Sequence, residues 1–281
     1  MRDDRRLVAL LGDIGVWGFR DIFKEYPERI YNIGILEQST IGVASGLAMA
    51  GFIPVIHTIA PFLVERAYEQ LKLDFGYQNL NGNFVSVGGS YDYAALGCTH
   101  HCPGDIGALK NIPNMSIVIP GTAEEFDTLF KQAYKDDSPT YFRLSEVNNA
   151  VSQPVSYGRA HIVKTGSKCT VVAVGTMLGT VLQATADMDV TVIYYTTLRP
   201  FDAETLRKAV GINPKIIVCE PYYVGGIAFD IMDALKPMPI TIEHIGVPHA
   251  FLTTYGTMAQ QDEALGLTPR AIREKVMKFI A

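Results

Sequence analysis

Cysteine is sparse in this sequence: four residues, at positions 98, 102, 169 and 219, in a chain of 281. They are too few to frame a domain this large and read as reduced thiols rather than disulfides. Positive charge is also short, with 24 Lys and Arg against 29 Asp and Glu for a net charge of −5. That balance excludes polyanionic partners, so neither nucleic acid nor an anionic membrane is expected to bind. No uninterrupted apolar run is long enough to span a bilayer; residues 34–56 come closest, and Glu37 and several glycines break them. The charged opening, Met1-Arg2-Asp3-Asp4-Arg5-Arg6, is followed by no signal-like apolar segment, so a cytoplasmic location is expected. Tryptophan occurs once, at Trp17.

What is present is an ordinary soluble α/β composition, 48% apolar and 19% charged with 25 Gly and 15 Pro. The length allows two domains, each able to bury a core. Short apolar runs alternate with helical patterns: Leu7–Leu11, Ile53–His57, Phe84–Val87, Met115–Ile119 and Thr140–Leu144 read as buried parallel strands. Residues 62–75 carry apolar side chains at helical spacing, and Thr122-Ala123-Glu124-Glu125 reads as a capping box. Between 147 and 155 the composition turns to Asn, Ser, Gln and Pro. The strand–helix alternation then repeats, with strands expected at 169–174, 190–195, 215–219 and 240–242. The domains expected are therefore 1–146 and 157–281, joined by a linker at 147–156.

Chemistry concentrates in the first half. The run Asn32-Ile33-Gly34-Ile35-Leu36-Glu37-Gln38 leads into a helix of small and aliphatic residues in which Gly42, Gly46 and Ala50 share one face. A helix with no charged face is expected to be buried on every side. The lone acid at its head, Glu37, is then either a helix-dipole partner or a chemical group secluded from water. Gly12-Asp13-Ile14-Gly15 closes the first strand, at the edge where open α/β sheets bind ligands, although Asp13 beside glycines also suits an ordinary turn. His57 is a strand histidine unless it points into that crevice, and Phe62 is core filler or a stacking platform. The irregular stretch 88–105 holds Cys98-Thr99-His100-His101-Cys102. Four donors packed this closely do not surround one tetrahedral ion. A substrate loop in which one or both histidines donate or exchange protons is the better reading. Arg143, inside an apolar strand, is either a structural ion pair or a hold for an anion.

These motifs resemble a family. Gly12-Asp13, Asn32 through Gln38, Phe62-Leu63 with Arg66-Ala67-Tyr68, Thr99-His100-His101, Thr140-Tyr141-Phe142-Arg143, Leu198-Arg199-Pro200-Phe201-Asp202, and Glu220 with Gly225-Gly226 follow the order and spacing of the C-terminal half of transketolase. The same half occurs in 1-deoxyxylulose-5-phosphate synthase. The resemblance implies an α/β thiamine-diphosphate-binding, pyrimidine-type parallel-sheet domain followed by a smaller transketolase C-terminal domain. It implies that Glu37 contacts the aminopyrimidine of thiamine diphosphate. A proton held by Glu37 and shared with the ring nitrogen N1′ would let the exocyclic nitrogen deprotonate the thiazolium carbon. Phe62 would lie against the pyrimidine with Ile59 nearby, and Asp13 would sit close to the ring junction. His100 would meet the donor ketose, joined by His101 and His57, and Arg143 would reach acceptor phosphate.

The family holds the diphosphate and its Mg2+ with a Gly-Asp-Gly motif in a separate N-terminal domain, and no Gly-Asp-Gly occurs here. The resemblance therefore implies an N-terminal-type, diphosphate-binding transketolase subunit as partner, in an alpha2beta2 heterotetramer acting on sugar phosphates. The position that often carries an acid in the histidine loop is Leu96, so the grip on donor hydroxyls is expected to differ from that of ordinary transketolases. A 2-oxo acid dehydrogenase β subunit shares the architecture, but the Thr99-His100-His101 loop and the Gly34-to-Gln38 form lean against it. A non-catalytic partner subunit would have no need of a secluded acid at Glu37.

Overall fold

The computed structural model describes residues 1–281 throughout. Its first half carries β1 (Leu7–Leu11), α1 (Arg20–Glu25), β2 (Ile30–Asn32), α2 (Glu37–Met49), β3 (Ile53–Ile59), α3 (Tyr68–Gln70), β4 (Gly82–Val87), α4 (Asp105–Leu109), β5 (Ser116–Val118), α5 (Ala123–Ala133) and β6 (Pro139–Arg143). The second half carries β7 (His161–Lys164), β8 (Thr170–Val174), α6 (Met177–Ala184), β9 (Thr191–Tyr195), β10 (Thr197–Arg199), α7 (Ala203–Val210) and β11 (Lys215–Tyr223). It ends with α8 (Ala228–Leu235), β12 (Thr241–Val247), α9 (Met258–Leu265) and α10 (Pro269–Ile280). No helix is long and apolar enough to cross a membrane.

Two sheets result, a seven-stranded one in the order β10-β5-β6-β4-β3-β1-β2 and a five-stranded one in the order β12-β11-β8-β9-β7. Both are parallel except at one edge each, where β10 and β7 run antiparallel to their neighbours. Strands such as Thr170–Val174 and Thr191–Tyr195 are buried at every residue. Their β-branched and aromatic runs suit a sheet covered on both faces.

The halves interlock. β10 comes from the second half yet pairs with β5 of the first sheet, and Ile119 donates to the Thr196 carbonyl at 2.7 Å. The 147–156 segment contains no regular element, but it is stitched down. Asn149 donates to the Gly175 carbonyl and Gln153 to Glu125. Here the structure departs from the sequence pattern. Thr122 caps α5 by accepting from Glu125 N at 3.2 Å, but Glu125 does not complete a capping box. Its carboxylate accepts instead from Gly121 N, Gln153 N and the Tyr194 hydroxyl, tying α5 to the linker and the second sheet.

Two helices also differ from their expected form. Residues 62–77 are helical, but wide π-type turns at Phe62–Arg66 and Leu71–Tyr77 flank the single α turn of α3. Turns of that kind are rare and gather at functional sites. In α2 the expectation of all-round burial fails: Glu37, Thr40, Ile41, Ala44 and Ser45 are buried, whereas Gly42, Val43, Gly46 and Met49 face outward. A Cβ added at Gly42 or Gly46 would meet nothing within 4 Å. Within one chain nothing covers this uncharged face.

Candidate active site

The C-terminal ends of β1, β2 and β3 lie side by side and deliver three loops to one edge of the first sheet. After β2 the chain turns through Gly34 (φ 83°) and starts α2 directly with Glu37. The helix N-terminus, with its unpaired N–H groups, faces this edge. Glu37 is 3% exposed. One carboxylate oxygen, Oε2, accepts from Arg66 Nη1 at 2.8 Å. The other, Oε1, is buried and has no donor.

Around Glu37 the helical run after β3 places two more groups. Phe62 lies with the Arg66 guanidinium 4.2 Å from its ring centroid. The His100 ring meets Phe62 edge-on at 5.4 Å, and Tyr93 meets His100 at 6.3 Å. His100 Nδ1 is 2.9 Å from the Thr99 hydroxyl. Ile59, the last residue of β3, is half-buried just before this run. Glu37, Arg66, Phe62, His100 and Tyr93 thus form one contiguous group. Sequence reasoning missed the role of Arg66, which it quoted only as part of a motif; its spacing four residues after Phe62 was the available signal.

Asp13 and His57 lie at the same edge of the sheet, near the ends of β1 and β3. Asp13 has φ 68°, and its backbone N–H donates to Asn32 Oδ1 at 3.0 Å while Asn32 Nδ2 donates to Asp13 Oδ1 at 3.1 Å. Asn32 also accepts from Gly34 N, so it clasps the β1 and β2 loops together. Asn32 is a second residue whose part was not foreseen. His57 Nδ1 donates to the Val85 carbonyl at 2.9 Å. Burial holds its pKa below the ordinary value, so the ring is neutral at pH 7 and Nε2 is a free acceptor. Its edge packs under the first loop, where a Cβ on Gly15 would stand 3.1 Å from Nε2.

Two predicted site residues lie elsewhere. His101 turns inward, 6% exposed, with both ring nitrogens buried and unpartnered, and burial lowers its pKa. Arg143 is 2% exposed and donates to Asp105 Oδ2 at 2.6 Å and to the Pro221 carbonyl at 3.2 Å. Asp105 also accepts from the Tyr141 hydroxyl and Ile106 N. The guanidinium is thereby spent on a buried ion pair, and none of these partners belongs to the Glu37 group. The Cys98–Cys102 stretch is likewise dispersed: Cys98 is exposed, while Cys102 is buried and donates to Glu65. An apolar hollow of about 450 Å³ between Leu7, Phe19, Ile30, Val55 and Phe130 contains none of the Glu37 group.

Known proteins are similar to this chain. Residues 1–150 match the transketolase pyrimidine binding domain and residues 158–272 the transketolase C-terminal domain. An uncharacterised 33.6 kDa protein of the fasciation locus of Rhodococcoides fascians is 38% identical, the match covering 100% of this chain and 91% of that protein. One of the subunits of the apulose-4-phosphate transketolase of Actinobacillus succinogenes is 31% identical, covering 80% of this chain and 76% of the relative. Among solved structures, a split-gene transketolase described as an inactive beta4 tetramer superposes with a TM-score of 0.87 at 26% identity, covering 99% of this chain and 93% of that one. With both halves matched in order, the chain belongs to the transketolase family, as a pyrimidine-binding domain followed by a transketolase C-terminal domain.

Proposed function

We propose that this chain is the pyrimidine-holding subunit of a split, thiamine-diphosphate-dependent transketolase. It transfers a two-carbon ketol unit from a ketose to an aldose, the substrates carrying phosphate, once a partner supplies the diphosphate and Mg2+ site. The observation that carries this reading is Glu37: a secluded acid at a strand-end crevice, with Oε1 buried and lacking any donor. An orphaned buried oxygen is costly to leave unpaired, and a ring nitrogen offered by a ligand would satisfy it with one proton shared between the two atoms. Phe62 supplies an aromatic wall beside it, so these residues fit the pyrimidine half of the cofactor.

The cofactor, when bound, supplies the carbon nucleophile and the electron sink that no side chain provides. The chain's own residues then position and exchange protons. Glu37 holds or shares a proton at Oε1. Phe62 and Ile59 confine the ring and exclude water, and the Asp13–Asn32 clasp fixes the loop beside it. His100, resting on Phe62 and Thr99, faces the donor sugar, and neutral His57 offers Nε2 as an acceptor below the first loop. Arg143 and His101 are assigned to holding the loop and core rather than to substrate.

The partner requirement draws support from the open α2 face and from the relatives. One is named as a subunit, and the solved one is an inactive assembly of β chains alone. We place the chain in a heterotetramer with two diphosphate-binding partners. The test is ketol transfer by the chain purified with its co-purifying partner, given thiamine diphosphate, Mg2+ and a panel of ketose and aldose phosphates. Two-carbon transfer to at least one acceptor is expected. Decarboxylation of 2-oxo acids without ketol transfer would overturn the reading.

A further inference from the structure

The two residues proposed to meet the pyrimidine on this chain are both already touched by a single side chain. Arg66 Nη1 donates to Glu37 Oε2 at 2.8 Å, and Arg66 Cζ stands 4.2 Å from the Phe62 ring centroid. A guanidinium is planar, carries N–H donors along its edge and stacks on aromatic faces. It therefore meets the pair of groups an aminopyrimidine would meet, with an N–H on the acid at Oε2 and its centre over the phenyl ring. We infer that Arg66 is the stand-in for the cofactor ring, covering the Phe62 side of its seat in the unloaded chain while Oε1 stays open, and leaving when the cofactor enters. This rests on the cofactor reading given above.

Three physical points support a stand-in over a permanent brace. Glu37 is 3% exposed, and a carboxylate that secluded needs a counter-charge until a ligand arrives. Sharing a proton with a ring nitrogen is the opposite demand, because an adjacent guanidinium favours a charged carboxylate. One residue cannot meet both needs from one position, so loading requires Arg66 to move. It has room to do so: its side chain is 41% exposed, against 2% for Glu37, and it closes the wide π-type turn at Phe62–Arg66 rather than a tight α turn. Arg143, the other arginine bound to an acid at this end of the sheet, is 2% exposed and locked from several sides. Structural anchoring in this chain looks like Arg143, and Arg66 differs from it in just the respect that release requires.

The consequence is competition. Every unloaded chain holds a fraction of its pyrimidine seats closed, and apparent cofactor affinity falls by that fraction. Calorimetric titration of thiamine diphosphate with MgCl2 into the chain–partner complex tests this, comparing wild type with Arg66→Ala and Arg66→Gln. Both variants are expected to bind the cofactor about three- to fivefold more tightly, the scale of one partly exposed ion pair. A thermal unfolding cycle on the chain alone gives an independent readout. Arg66→Ala is expected to lower the midpoint in the wild-type background and to lower it less when Glu37→Gln is present, because the carboxylate it neutralised is gone. Weaker or unchanged cofactor binding in both variants would overturn the inference and make Arg66 a brace, as would equal midpoint losses in the two backgrounds. A wild-type complex that takes up no cofactor would overturn the functional reading itself, and the stand-in with it.

Discussion

At the scale of single residues the account turns on how the chain handles secluded charge. Glu37 and Asp105 are both carboxylates at the sheet's functional end, but their surroundings set them apart. Asp105 is saturated by Arg143, Tyr141 and Ile106 N, whereas Glu37 keeps one oxygen empty. Saturation makes Asp105 structural, and the proposed function gives the empty oxygen of Glu37 to a ligand. Glu37→Gln keeps the shape and removes the exchangeable proton, so the variant is expected to fold, bind its partner and lose about a hundredfold or more in turnover. Near-normal turnover would take Glu37 out of the mechanism. Asp92 supplies a pH signature. Burial pushes its carboxyl up to about 6, with Arg143 pulling the other way, while Ser145 Oγ and Glu146 N donate to it. A raised carboxyl pKa means the fold prefers the protonated form. That stabilisation is fully present below about pH 4 and is lost as pH rises through 6, on the order of 2 to 3 kcal/mol. Urea unfolding of wild type and Asp92→Asn at pH 4.5 and 7.5 checks it. The variant should gain on wild type at the higher pH, and a gap that does not change with pH would refute the assignment.

At the scale of elements, strands were the most legible part of the sequence. Runs such as Thr170–Val174 show their burial in their composition, because a strand covered on both faces leaves little choice of side chain. The Glu37 position was legible too, from an acid at the head of an uncharged helix. What was not legible depended on partners far along the chain. Glu125 abandons its local cap for Tyr194, 69 residues away, and Arg143 finds Asp105, 38 residues before it, and no sequence spacing announces either pairing. The α2 helix shows the limit most clearly. Its composition demanded burial all round, and the chain alone buries only one side, leaving the other for the proposed partner. Gly42→Leu probes that surface. Open space at the Gly42 Cβ means the isolated chain should hold its thermal midpoint, helped by the better helix former. Partner binding should weaken by about tenfold or more, the cost of a side chain wedged into a close helix contact. Unchanged partner affinity would move the interface off α2.

For the whole molecule, the pairing of β10 with β5 and the stitched 147–156 segment make the two halves one scaffold, holding the strand ends in fixed relation. What that scaffold presents is, on the proposed reading, half a site: an acid, an aromatic wall and a histidine loop, with Ile35 and Leu36 exposed just before the acid. The central claim is that a second polypeptide completes it. Trp17, the single tryptophan, is 79% exposed with the Arg20 guanidinium 4.7 Å above its ring, and serves as a built-in reporter. The most direct measurement is a titration of thiamine diphosphate with Mg2+ followed by Trp17 emission, on the chain alone and with the partner present. The account predicts a saturable response only in the two-protein sample, and a saturable response from the isolated chain would contradict it.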